Sequence, residues 1–290
     1  MERRKFLAMP LAAMAAPGAL LAANAGSAQA ALAPTAVPTV PSITTPANTL
    51  KGFGHGGKDA LALQQIKSLN LDWHYTWGSH PNVTTTPPFV PMIKSAKTML
   101  EQDALGYVTR QLAETKTKHL LGFNEPDVAA QANMSVDQAI SLWPKLQATG
   151  LRLGSPACTS PGSAWLADFM AKAKNKGLRV DFLTTHVYAW PKADDFLNKI
   201  TMMHEKYGKP IWVTEYAVAD WNATATRPCI YTRAQTEDFM RATVAGLRAM
   251  PFVERFAWKT RPAGDIKMGC SALFHTNGTL TSTGRLYASL

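Results

Sequence analysis

The sequence predicts an α/β protein, a single-domain (β/α)8 barrel of the TIM type, on three observations. Eight short apolar runs of strand length are spaced along the chain, stretches of helical periodicity lie between them, and no break in composition divides the chain from Lys51 onward. Strands that alternate with helices pair in parallel, because a parallel crossover needs a dozen or more residues and usually takes the form of a helix. Eight such units close most economically into a barrel, with a doubly wound open sheet as the competing architecture.

In chain order the expected strands are Gly52 to His55, Leu71 to Trp77, Phe89 to Ile93, His119 to Phe123, Leu151 to Pro156, Phe182 to Tyr188, Ile211 to Tyr216 and Arg255 to Trp258. Helix starts are marked at Ser135-Val136-Asp137-Gln138 and Thr232-Arg233-Ala234-Gln235, where the hydroxyl and the glutamine three residues on fit a capping box. Gly150, Gly177 and Gly208 stand where helical patterns stop, as a left-handed C-terminal residue requires.

Three segments are expected. Residues 1–30 read as an export signal: Glu2-Arg3-Arg4-Lys5 is a charged start, Phe6 to Ala25 an apolar middle, and Ala28-Gln29-Ala30 a small-x-small cleavage site. The pair Arg3-Arg4 followed by Phe6-Leu7 is of the twin-arginine type, so the protein is expected to be bacterial and exported, periplasmic or secreted. Residues 31–50, with Pro34, Pro38, Pro41 and Pro46, read as a linker or arm, and residues 51–290 as the barrel.

Composition removes several function classes. At 46% hydrophobic and 17% charged the chain can bury a large core, which excludes disorder. Nothing after the N-terminus reaches the ~18 consecutive apolar residues of a membrane span. The formal charge is +10, of which residues 2–5 carry a net +2, so the mature chain stays basic. Its cations are scattered singly, which predicts a solvated surface and no nucleic-acid partner. Cys158, Cys229 and Cys270 show neither CxxC spacing nor a His at ligand spacing, so no metal site is expected. Gly52-Phe53-Gly54-His55-Gly56-Gly57 fits the dinucleotide pattern GxGxxG, but a Pro-rich arm precedes it and no acid ends the next strand. Its glycines are read as the first strand and its turn, and no cofactor is expected.

Chemistry points to two glutamates. Of seven Glu residues beyond the signal, Glu101, Glu114, Glu205, Glu237 and Glu254 lie in helical or pre-strand polar contexts, whereas Glu125 and Glu215 each end an apolar strand. In a barrel the C-terminal strand ends form the active face, so both carboxylates are expected in one cleft, on strands four and seven. Two facing carboxylates are what glycosidic cleavage requires: one protonates the leaving oxygen while the other supports an oxocarbenium-like centre.

The segments Trp73-His74-Tyr75-Thr76-Trp77, Val90-Pro91-Met92, Gly122-Phe123-Asn124-Glu125-Pro126-Asp127, Ser155-Pro156-Ala157, His186-Val187-Tyr188 and Val213-Thr214-Glu215-Tyr216 resemble glycoside hydrolase family 128. These are barrel endo-β-1,3-glucanases with an Asl1-like catalytic core. The resemblance runs from about Lys51 to the C-terminus. It implies Glu125 as acid/base and Glu215 as nucleophile of a retaining hydrolysis of β-1,3-glucan, with no organic cofactor and no metal. It implies that Asn124 bonds a sugar hydroxyl, and that His186 and Tyr188 orient the nucleophile or contact the sugar. Trp77 and Trp258 become candidate sugar platforms and Tyr75 a further substrate contact, while Trp73 and Trp212 read as core.

Two departures stand out. Where many members read Pro-Met-Leu-Trp after strand three, this chain has Pro91-Met92-Ile93-Lys94, and Lys259-Thr260-Arg261 follows Trp258 where an aromatic is frequent. Lys94 is therefore a candidate substrate contact, and a related barrel hydrolase acting on an acidic or branched polysaccharide is an alternative. A glucan-binding protein without turnover is a second. A monomer is expected. Cys229 and Cys270 lie in the loops after strands seven and eight, neighbours in a barrel, and are expected to form a disulfide.

Overall fold

The computed structural model describes residues 49–84 and 87–290. The export signal and nearly all of the expected arm lie outside the described residues. Among the described residues seven strands are formed: β1 (Leu50–Gly54), β2 (Trp73–Tyr75), β3 (His119–Leu120), β4 (Arg152–Leu153), β5 (Leu183–Ala189), β6 (Ile211–Val218) and β7 (Val253–Trp258). The helices between and after them are α1 (Ala60–Ser68), α2 (Ala96–Glu101), α3 (Ala104–Arg110), α4 (Leu112–Thr115), α5 (Val136–Gln147), α6 (Ala164–Asn175), α7 (Ala193–Tyr207), α8 (Arg233–Ala249) and α9 (Ser282–Ser289).

Parallel pairings run round a full ring. One sheet has the order β2-β1-β7-β6-β5 and a second pairs β3 with β4. Parallel bridges His74–Phe89, Met92–Leu121 and Gly154–Phe182 join the two sheets at both gaps. The run Phe89–Ile93 thus stands as the third of eight staves. It holds its place by two backbone bonds on each side: His74 N–H to Pro88 O at 3.0 Å and Val90 N–H to His74 O at 2.9 Å toward β2, Leu121 N–H to Pro91 O at 2.9 Å and Ile93 N–H to Leu121 O at 3.1 Å toward β3. Pro91 contributes only its carbonyl, having no N–H to extend a ladder, so no continuous strand forms there. The result is the expected (β/α)8 barrel.

Two apolar layers hold it. Inside the ring, Trp73, Tyr75, Val90, Met92, Leu121, Phe182, Trp212 and Ala257 form one cluster, with the Phe182 and Trp212 rings stacked at 4.2 Å. Trp73 and Trp212 are core, as their strand-start positions predict. A larger cluster fills the space between strands and helices. Each fully buried large side chain contributes about 1.5–3 kcal/mol.

The GxGxxG glycines serve this interior. A Cβ on Gly52 would lie 2.2 Å from the Trp73 indole, and one on Gly54 2.8 Å from both Tyr75 and Trp77. Aromatic rings, and no pyrophosphate, occupy the space these glycines leave open.

Helix ends follow the local chemistry. Thr232 and Gln235 close the full capping box at α8, and Ser135 accepts from Gln138 N–H at α5. Gly150, Gly177 and Gly208 all adopt the left-handed conformation, with φ of 73°, 64° and 62°.

Candidate active site

Glu215 is the fifth residue of β6 and lies beside His186 of β5. The register of β6 slips on both flanks here, between Thr185 and His186 toward β5 and between Val213 and Tyr216 toward β7. Such irregularities re-aim a side chain out of strict alternation. Glu125 comes from the turn after β3. Asn124 bridges Ala157, and the Glu125 N–H donates to Ala157 O at 2.7 Å. Asp127 ties the far side of this turn to the next stave by accepting from the Thr159 and Ser163 hydroxyls at 3.0 and 3.2 Å.

Glu125 has φ 44° and Trp77 φ 57°, both left-handed, at a cost of order 1–3 kcal/mol each for a residue with a side chain. Both line the same cleft, a cavity of about 760 Å³ at the C-terminal mouth of the barrel.

A fully buried imidazole joins the two carboxylates. His186 Nδ1 is 2.7 Å from Glu125 Oε1, and His186 Nε2 lies 3.4 Å from Glu215 Oε1 without hydrogen-bond alignment. Glu215 gathers further donors. Trp77 Nε1 donates to Oε1 at 2.6 Å, the Tyr188 hydroxyl donates to Oε2, and Lys259 Nζ stands 3.5 Å from Oε2. Burial acts to raise the pKa of Glu215, but the charges of His186 and Lys259 and the two donors outweigh it and bring it down to about 2. The site therefore holds one carboxylate firmly ionised. Burial, followed by the charge of Glu215, pushes the Tyr188 hydroxyl well above its usual range, so it stays a donor.

The structure brings Asn124, Glu125, Tyr188, Glu215, Trp77 and Lys94 to the cleft wall. Asn124 is 3% exposed, and its Oδ1 has no partner among the described residues. His186 sits behind the wall and contacts both carboxylates.

Two expected substrate contacts are corrected. Trp258 is buried against Tyr216, with ring centroids 4.9 Å apart, and its Nε1 donates to Ser271 O at 2.9 Å. Its side chain belongs to the strand–helix layer and offers no face to a sugar. Tyr75 is enclosed in the barrel interior, where its hydroxyl donates to Thr214 O at 2.8 Å and braces the backbone before Glu215. Trp77 reaches the cleft, but one face of its ring carries Lys259 Nζ, 3.6 Å from the centroid.

Sequence reasoning left out Trp221, 54% exposed at the cleft mouth, and placed Lys259 no closer than a choice between subsite and solvent. The available signal for Trp221 was its place in the loop directly after β6, on the active face. Cys229 and Cys270 are neighbours, as their loops predict. Their sulfurs are 3.8 Å apart, both as free thiols, so the expected bond is not formed here.

Two carboxylates facing one cleft at the C-terminal mouth of a barrel suit glycosidic cleavage. Residues 52–287 match the family described as glycosyl hydrolase catalytic core. The structure is similar to that of a family 128 subgroup I endo-β-1,3-glucanase variant from Amycolatopsis mediterranei in complex with laminaripentaose. The two share 33% identity over 83% of this chain and 99% of that one, with a TM-score of 0.73. A subgroup II endo-β-1,3-glucanase from Sorangium cellulosum is 26% identical over 83% and 98% of the two chains, with a TM-score of 0.68. Alkali-sensitive linkage protein 1 of Schizosaccharomyces pombe is 28% identical over 247 residues, 80% of this chain and 43% of that protein, so the chain spans less than half of that relative's length. The chain belongs to the glycosyl hydrolase catalytic core family and, within it, to glycoside hydrolase family 128.

Proposed function

We propose that this hydrolase cleaves β-1,3-glucan internally and with retention, using Glu125 as acid/base and Glu215 as nucleophile. The observation that carries the reading is the single imidazole touching both carboxylates at the cleft. In the first half-reaction the Glu125 proton passes to the glycosidic oxygen as the bond from C1 breaks, and a Glu215 oxygen bonds C1 from the other face. In the second, water attacks C1, gives a proton to Glu125, and the ester electrons return to Glu215. The charge held on Glu215 suits the nucleophile, and the unpartnered Asn124 Oδ1 suits a sugar hydroxyl. The relatives with laminari-oligosaccharides bound support the choice of substrate.

Proton NMR of laminari-oligosaccharide cleavage tests the mechanism. Early release of the β-anomer is expected; α-anomer first would reassign Glu215 to a base for water. A ladder of products from long chains is expected for internal cleavage, and release of one small sugar from the chain end would replace that reading.

A second reading, a glycan bearing anionic groups, is favoured by Lys94, Arg261 and Lys267 in the cleft lining. Faster turnover of carboxymethylated than neutral β-1,3-glucan would select it. Export is proposed on the twin-arginine-like start, and N-terminal sequencing of the mature protein is expected to begin just after Ala30.

A further inference from the structure

Lys259 directly follows β7, and its N–H donates to Tyr216 O at 2.9 Å, so its side chain hangs from backbone bonded next to Glu215. The ammonium makes two contacts at once, 3.5 Å from Glu215 Oε2 and 3.6 Å from the Trp77 ring centroid. Trp77 in turn donates to Glu215 Oε1. Carboxylate, indole and ammonium form a closed triangle. Burying a lysine costs free energy unless a close counter-charge offsets the lost hydration, and a carboxylate together with an aromatic face supplies that offset.

The charged and titratable groups facing Glu215 come from every neighbouring element. They are His186 and Tyr188 on β5, Tyr75 on β2, Glu125 after β3, and Lys259 and Arg261 after β7. The tyrosines are neutral, His186 is bonded to Glu125, and Arg261 pairs with Asp265 at 3.1 Å. Lys259 is the cation that meets Glu215 at Oε2, while His186 lies against Oε1.

We propose that Lys259 is a positioning residue for Glu215: it holds that carboxylate ionised and in place, and closes the facing side of Trp77 to a stacked sugar. This rests on Glu215 being the nucleophile. When the glycosyl ester forms, Glu215 loses its charge and Lys259 keeps the contact with Trp77; when the ester breaks, the returning carboxylate finds its counter-ion already in place. Burial lowers the pKa of Lys259 while Glu215 raises it, consistent with mutual dependence.

The test compares Lys259→Met and Lys259→Arg with the wild type by two readouts. One is the pH profile of kcat/KM on a laminari-oligosaccharide. The other is the 13C NMR titration of the Glu215 side-chain carboxyl in glutamate-labelled protein, assigned by its loss in Glu215→Gln. Lys259→Met is expected to raise both the acid limb and the Glu215 titration by about one pH unit or more, the scale of a counter-charge within about 4–6 Å. Lys259→Arg is expected to restore most of both. A folded Lys259→Met protein whose Glu215 titration and acid limb stay where the wild type has them overturns the proposal, whatever its rate at neutral pH. Lys259→Gln replaces the Met variant if methionine prevents folding. The NMR readout needs no turnover, so wild-type hydrolysis by Glu215→Gln would remove the nucleophile assignment separately.

Discussion

Glu215 keeps its charge in a site whose burial opposes it, and Glu125 shares its imidazole from a strained turn. The two residues therefore differ in environment although they are chemically alike, as the proposed division into proton donor and nucleophile requires. Glu125→Gln and Glu215→Gln are each expected to lower kcat on β-1,3-glucan by roughly 10²–10⁴-fold or more with oligosaccharide binding largely kept; Glu125→Gln is expected to leave the thermal melt nearly unchanged, whereas Glu215→Gln loses the stabilisation of its ionised carboxylate and melts lower. Azide is expected to restore turnover of an activated glucoside to a Glu125→Ala enzyme, because the small anion fits where water waits and needs no general base. Rates near wild type in either glutamine variant would remove the assignment.

At the scale of elements, β1 and the loops after β6 and β7 shape the cleft. Gly54 on β1 leaves room for Trp77, and a methyl group there would press on the ring at 2.8 Å. Gly208 at the end of α7 has open space around its Cβ position, so only its left-handed φ of 62° resists substitution. Gly208→Ala is expected to cost about 1 kcal/mol of stability and no activity. Gly54→Ala is expected to depress kcat/KM well beyond its effect on the melt, because the displaced indole pulls its N–H from Glu215. Equal losses in the two variants would show that the glycine does nothing special for Trp77. The loops after β6 and β7 meet at Cys229 and Cys270. With their sulfurs 3.8 Å apart, oxidation after export is expected to join the two thiols, so thiol titration of the unfolded, exported protein is expected to find one free thiol, Cys158, and three would exclude the pairing.

For the whole molecule, acid stability is set by the buried His74 and the half-buried His119 before the active site contributes. Burial first of all brings the pKa of His74 and His119 down to about 4; in His119 the charges of Arg255 and Arg152 lower it further. The unfolded chain takes up these protons near pH 6.5 and the folded one only near 4, so stability falls as pH drops through that window. Glu215 has the opposite sense: its folded pKa of about 2 lies below its unfolded value, so its stabilisation is present above about 4.5 and is lost only as pH falls toward 2. Melting temperature is therefore expected to decline between pH 6.5 and 4, and His119→Gln to flatten part of that decline. A melt that is flat down to pH 4 would contradict it.

Strand order, the helix stops at Gly150, Gly177 and Gly208, and the placing of Glu125 and Glu215 toward the C-terminal side of their staves were legible in the sequence, because each depends on local pattern: an apolar run, a residue that tolerates positive φ, an acid late in the run or past it, although β6 continues beyond Glu215 to Val218. The side a residue faces was not legible where a barrel strand is buried on both sides. There no polar alternation marks inward from outward, so Trp258 reads the same whether it meets a sugar or Phe239. Lys259 shows the same limit in its charge: a lysine in isolation belongs in water, and only the arrival of Glu215 and Trp77 from distant staves makes a half-buried ammonium stable. Local chemistry thus decided the barrel and its two acids, and the closing of the ring decided which neighbours give those acids their work.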